Sequence, residues 1–141
     1  MNSGSMFKTG TCPCGSGKTF DVCCRLYLDE LNSAPTAEAL MRSIYIALER
    51  NDKEYLLRTW HASTRPRELV HNLARKVEWH GFLILSVKAS APMDDVSTIE
   101  YVAQYSMNGK RGTLHEISDF VREHGVWFYL RGRTAARAVA A

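Results

Sequence analysis

Hydrophobic positions along this chain follow two different periods. From Pro35 to Asn51 they recur at helical spacing, with Leu40, Ile44, Ala47 and Leu48 on one face. Pro35 and Thr36 open that helix. Arg50 and Asn51 fall at its end, where a cation and a C-terminal cap are favoured. Asp52 is placed to cap a second, short helix that carries Tyr55, Leu56, Thr59 and Trp60. Pro66 starts a third expected helix, with Leu69, Val70 and Leu73 on one side.

After Gly81 the period becomes that of strands. Phe82 to Ser90, Val96 to Met107, Thr113 to Arg122 and Val126 to Arg131 each read as one. Asn108-Gly109 is a strong hairpin signal, and Gly125 marks the next turn. Three helices followed by a four-strand meander predict an α+β fold, with helices on one face of an antiparallel sheet.

Alternation then assigns faces. On the second strand, Ile99, Tyr101, Ala103, Tyr105 and Met107 should turn inward, and Glu100, Val102, Gln104 and Ser106 outward. An even hairpin loop adds Leu114, Glu116, Ser118 and Phe120 to the inward face. An odd loop adds His115, Ile117 and Asp119 instead. Asn-Gly prefers two-residue loops, so the even register is expected. Glu116 then sits in a Tyr-lined concavity, where desolvation raises a carboxyl pKa.

Composition adds bounds rather than detail. The 141 residues are 45% hydrophobic and 23% charged, as in ordinary soluble domains. No apolar run approaches the roughly 18 residues of a membrane span, and no signal-peptide pattern is present, so a cytosolic protein is expected. Residues 1–5 read as an expression remnant. Residues 132–141 read as a mobile tail. The formal charge is +3, with Lys and Arg scattered. That balance does not indicate nucleic acid as a partner. The weaker nucleic-acid reading would rest on Lys8, Lys18 and Arg25.

All four cysteines lie in one stretch, CPCGSGKTFDVCC, as Cys12, Cys14, Cys23 and Cys24. A C-x-C pair and an adjacent C-C pair separated by eight residues can close around one point. Four thiolates suit a closed, tetrahedral, structural zinc site. Disulfides or free thiols are the alternatives. Reduced thiols of a cytosolic chain favour metal, and a Cys23–Cys24 disulfide needs a strained ring. Gly15 and Gly17 permit the loop its positive φ angles, and Phe20 and Val22 are expected to cap it. Gly15-Ser16-Gly17-Lys18-Thr19 imitates a P-loop, but the position of its first glycine is Cys12 and no strand precedes it.

This run resembles the SEC-C motif, the zinc-binding tail of SecA-like proteins. The resemblance carries the ligand role to Cys12, Cys14, Cys23 and Cys24, and implies docking on a protein or ribonucleoprotein partner. Trp60 to Pro66 and Leu114 to Phe120 resemble signature stretches of the YchJ-like (UPF0225) family, as do Met41-Arg42-Ser43 and Glu123 to Trp127. That likeness implies an NTF2-like cone, a curved sheet wrapped by helices around a pocket. The expected units are a zinc segment at 6–30, an NTF2-like domain at 31–131 and the tail. Some relatives carry a second cysteine motif, and this sequence has no cysteine after Cys24.

Candidate pocket residues are Trp60, His61, Arg65, Tyr101, Glu116 and Ser118. Arg65 is the expected ion-pair partner of Glu116, and His61 the expected polar group at the pocket mouth. Trp60, Trp79, Trp127, Tyr45 and Tyr129 are expected chiefly as core. Two functions compete: a binding module with a structural zinc and a small ligand in the cone, or a small-molecule enzyme with Glu116 as acid/base.

Overall fold

The computed structural model describes residues 11–67, 77–89 and 94–135. The chain begins with a cysteine-bearing loop and a 3-10 turn, Phe20–Val22, followed by α1 (Cys24–Leu28), α2 (Ala37–Arg50) and α3 (Lys53–Thr59). Four strands complete it: β1 (Val77–Lys88), β2 (Val96–Met107), β3 (Lys110–Glu123) and β4 (Val126–Thr134). They form one antiparallel sheet in the order β1-β2-β3-β4.

The helix ends follow local chemistry. Thr36 accepts the Ala39 N–H at 3.0 Å and starts α2. Asn51 stops it in the left-handed region at φ 58°. Asp52 then accepts the Tyr55 N–H at 3.1 Å to begin α3. A buried link ties the two helices, because Ser43 Oγ lies 2.6 Å from the Tyr55 hydroxyl. The expected third helix at Pro66, Leu69, Val70 and Leu73 extends beyond the described residues.

Both tight hairpins have two-residue turns with positive φ at each position, Asn108-Gly109 and His124-Gly125. Such turns match the twist of the strands they join. The first sets the even register: Tyr101 faces Glu116, Ala103 faces Leu114 and Ile99 faces Ser118. Ile99, Tyr101, Ala103, Ser118 and Phe120 are buried on that side. Register shifts in β1 at Trp79/Gly81 and Ile84/Ser86, and in β3–β4 at Asp119/Phe120, bend the sheet.

Three strand limits differ from expectation. β1 begins at Val77, since the ladder continues through Gly81 at an irregularity instead of stopping there. β3 starts at Lys110, because the two-residue turn lets pairing resume at once. β4 runs to Thr134, so Gly132, Arg133 and Thr134 are paired strand and not mobile tail; their partners are Ser118, Ile117 and Glu116.

The core lies between α2 and the concave face. Leu40, Ile46, Ile99 and Phe120 are among its most buried side chains. Tyr45 stacks on Phe82 at 4.7 Å between centroids and meets Trp79 edge-on at 5.9 Å. Among the described residues, no helix is long and apolar enough to cross a membrane.

Candidate functional site

Two sites emerge, and α2 touches both. The first is the cysteine loop. A bridge between Thr11 and Thr19 and the bond from Cys12 N to Lys18 O at 2.9 Å close it at the base. Gly15 and Gly17 turn it at φ 87° and 89°. A side chain at Gly15 would also meet the Phe82 carbonyl at 3.3 Å, so the loop lies close on β1. The 3-10 turn then delivers Cys23 and Cys24 opposite Cys12 and Cys14.

The four Sγ atoms lie within 4.8 Å of one another, and all four cysteines are buried and unbridged. Cys14 and Cys23 sulfurs are 3.7 Å apart, and those of Cys23 and Cys24 are 3.9 Å apart. Taken without a cation, Cys12, Cys14 and Cys24 pull one another's ionisation in opposite directions. Hydrogen bonds from Cys12, then Cys24, hold the Cys14 thiol far below its ordinary range. Hydrogen bonds with Cys12, then Cys14, together with burial, push Cys24 far above it. Cys12 is pushed up to about 11, chiefly by its bond to Cys14. A bound cation is what allows all four sulfurs to ionise together. The cluster is therefore compatible with metal binding.

The loop does not stand apart from the domain. Its cysteines belong to the same buried cluster as Leu40, Met41 and Ile99. Arg42 of α2 donates from Nη1 to the Cys14 carbonyl at 2.7 Å while its other nitrogens hold Glu38. Arg50 lies over the Phe20 ring at 4.6 Å. Phe20 thus packs as expected, whereas Val22 is 60% exposed and caps nothing. Arg42 was not among the expected site residues. Its signal in the sequence was the Glu38–Arg42 pair at helical spacing.

The second site is a cavity of about 430 Å³ behind the sheet. Met41, Ile44 and Leu48 of α2 form one wall, with Leu56 and Trp60 beside them. Trp79, Tyr101, Tyr105, Leu114, Glu116 and Tyr129 form the sheet side. Trp60 meets Tyr129 edge-on at 5.0 Å. Glu116 is half-buried, with the Tyr101 hydroxyl 3.5 Å from Oε1. Burial holds its carboxyl above the usual carboxylate range, and Tyr101 opposes that shift. Tyr129 is pushed up to about 12, first by burial and then by Glu116 and Asp119.

Trp60, Tyr101 and Glu116 meet on this cavity; the other expected pocket residues do not join them. Ser118 is 1% exposed and lies behind the wall, next to Gly132. His61 turns away: Nε2 is 2.8 Å from Glu123 and Nδ1 is 2.7 Å from Ser63. Arg65 is exposed and donates to the Leu57 carbonyl at 3.2 Å near the end of α3. The expected Arg65–Glu116 pair does not form, because that carbonyl takes the guanidinium. Trp79 and Tyr129, expected as core filling, pack against the core and also line the cavity.

The fold and the cysteine loop together define an NTF2-like domain preceded by a SEC-C motif. Residues 36–132 match the family model described as YchJ, middle NTF2-like domain, and residues 11–26 match the SEC-C motif. The chain belongs to the YchJ-like UPF0225 family. It is 42% identical over 126 residues to a UPF0225 protein of Chromobacterium violaceum, covering 88% of this chain and 93% of that one. It is 44% identical over 124 residues to one from Bordetella pertussis, covering 86% and 90%. The solution structure of a SEC-C motif containing protein from Rhodopseudomonas palustris matches with a TM-score of 0.79 at 30% identity, over 88% of this chain and 98% of that one. A crystal structure of a SEC-C motif containing protein from Psychrobacter arcticus shares the fold, with a TM-score of 0.73 at 23% identity, over 89% and 83%.

Proposed function

We propose that the protein is a binding module, in which a structural zinc ion closes the cysteine loop and the cone accepts a small, largely apolar ligand. The observation that carries this reading is the cavity of about 430 Å³, walled by α2 and the concave sheet. That volume lies in the range of small-molecule sites, and its wall is mostly apolar and aromatic with few polar groups.

The donor set supports zinc. Bonds of about 2.3 Å to a tetrahedral zinc place sulfurs about 3.8 Å apart. The Cys14–Cys23 and Cys23–Cys24 separations of 3.7 and 3.9 Å agree with that. Four thiolates leave no open position on the metal, so its role is to hold structure. A reducing compartment such as the cytosol, where thiols stay free to bind metal, fits this reading. The outward side of the loop, where Val22 is exposed beside Cys23, is the surface for a protein or ribonucleoprotein partner.

Catalysis with Glu116 as acid/base is the second reading, supported by its place on the cavity wall. Binding ranks first because His61, the second expected acid–base group, is turned toward Glu123.

Native mass spectrometry of protein purified without chelator or added metal tests the zinc. One zinc displacing four protons is expected; a metal-free chain with two disulfides overturns it. Titration with the neutral fluorophore N-phenyl-1-naphthylamine tests the cone. Saturable one-to-one binding that is lost in Leu114→Trp is expected. Absence of saturable binding to the wild-type chain overturns the ligand reading.

A further inference from the structure

The cavity is electrostatically one-sided. Five aromatic rings line it, from Trp60, Trp79, Tyr101, Tyr105 and Tyr129, together with the carboxyl of Glu116. Among the described residues no Lys, Arg or His lines it. Ring faces carry negative potential and attract cations, most strongly when desolvated. The carboxyl adds formal negative charge once ionised. Its hydrogen bond comes from a neutral hydroxyl, Tyr101, and among the described residues no ion pair reaches it. The arginine expected to neutralise it binds the Leu57 carbonyl instead.

Sequestering a carboxyl from water without a cation costs free energy unless something else supplies the charge. The backbone makes room for this group. A Cβ on Gly132 would stand 3.1 Å from Glu116 Oε1 and 2.7 Å from the Tyr129 hydroxyl. β4 therefore presses on the polar corner of the cavity without filling it.

Resting on the ligand-binding reading of the cone, we infer that its ligand is an organic cation: an amine or quaternary ammonium on an apolar body, its charge against Glu116 and the surrounding rings. An anion would meet the carboxylate. A purely apolar ligand would strip more water from Glu116 and give nothing in return.

The test is displacement of N-phenyl-1-naphthylamine from the full, zinc-loaded chain at neutral pH. Three competitors share a phenylalkyl body: benzyltrimethylammonium, the alcohol 4-phenyl-1-butanol and the anion 3-phenylpropanoate. The cation is expected to compete at least about tenfold more strongly than the alcohol, a factor equivalent to one cation–π or charged contact, and the anion most weakly. Glu116→Gln is expected to reduce cation competition about tenfold and leave the alcohol within about twofold. Fluorophore binding with no preference for the cation overturns the charge inference and leaves the cone a ligand site. Failure of the fluorophore itself to bind overturns both. The wild-type comparison decides the matter even if the variant fails to fold.

Discussion

Arg42 Nη1 donates to the carbonyl oxygen of Cys14 at 2.7 Å, across 28 positions of sequence. The same guanidinium holds Glu38 one turn earlier on α2, with 3.1 Å contacts from both Nε and Nη2. The helix that walls the cavity thereby grips the loop that carries the cysteines. At 18% side-chain exposure the grip is screened only partly by water.

Arg42→Met is therefore expected to loosen the loop. A hydrogen bond involving a charged group contributes about 1.5–3 kcal/mol, so a loss near the lower end is expected, read as a fall in thermal midpoint. With zinc in the loop as proposed, its removal by a chelator, followed with a chromogenic zinc indicator, should be several-fold faster than in wild type. A fall in stability with unchanged metal release would show that Arg42 braces α2 through Glu38 alone.

Glu116 predicts a pH signature of definite sign. Its folded carboxyl is raised from the ordinary 4.5 by burial, so the folded chain keeps a proton that the unfolded chain has released. Between 4.5 and the folded value, stability falls as pH rises. Glu116→Gln removes that slope. The variant should match wild type in acid and become the more stable of the two as pH rises to neutrality. Thiolate protonation affects both chains alike and cancels in the difference. A difference in melting temperature that stays flat across this range contradicts the account.

Gly132 predicts a packing effect. A methyl group there would lie 2.7 Å from the Tyr129 hydroxyl and 3.3 Å from Ser118 Oγ. Gly132→Ala must displace one of them, at a cost of about 1–3 kcal/mol, as overpacked sites show. Tyr129 is the nearest of these contacts, and it packs on Trp60 at 5.0 Å. A shift in tryptophan emission should accompany the fall in stability. A change in stability without any spectral change would place the strain at Glu116 or Ser118.

The strand register was legible because one local signal decides it. Asn108-Gly109 selects a two-residue loop, and alternation then carries every inward residue with it, Glu116 included. The cysteine cluster was legible for a similar reason, since all its donors fall in one short run. Side-chain destinations were less so. His61 adjoins Trp60 in sequence, yet its partner Glu123 lies 62 positions away at the end of β3. Arg65 could meet either a carboxylate or a helix-end carbonyl, and sequence does not rank the two. The extension of β4 past Arg131 was hidden because Gly132 reads as a breaker when its partner Ser118 is not known.

β4 is the last strand in the sheet order, and an uncovered last strand is a template for pairing with another molecule. Here the stretch after α3 occupies it. Trp60 bridges Tyr129 in parallel, the His61 N–H takes the Tyr129 carbonyl at 2.8 Å, and the Thr64 hydroxyl takes the carbonyl of Leu130. Beyond that cover, Arg131 and Arg133 both reach Asp119, which keeps charge along the rest of the strand. Trp60, which frames one side of the cavity, thus also helps guard this edge against edge-to-edge aggregation, and substitutions in this stretch would show first as lost solubility.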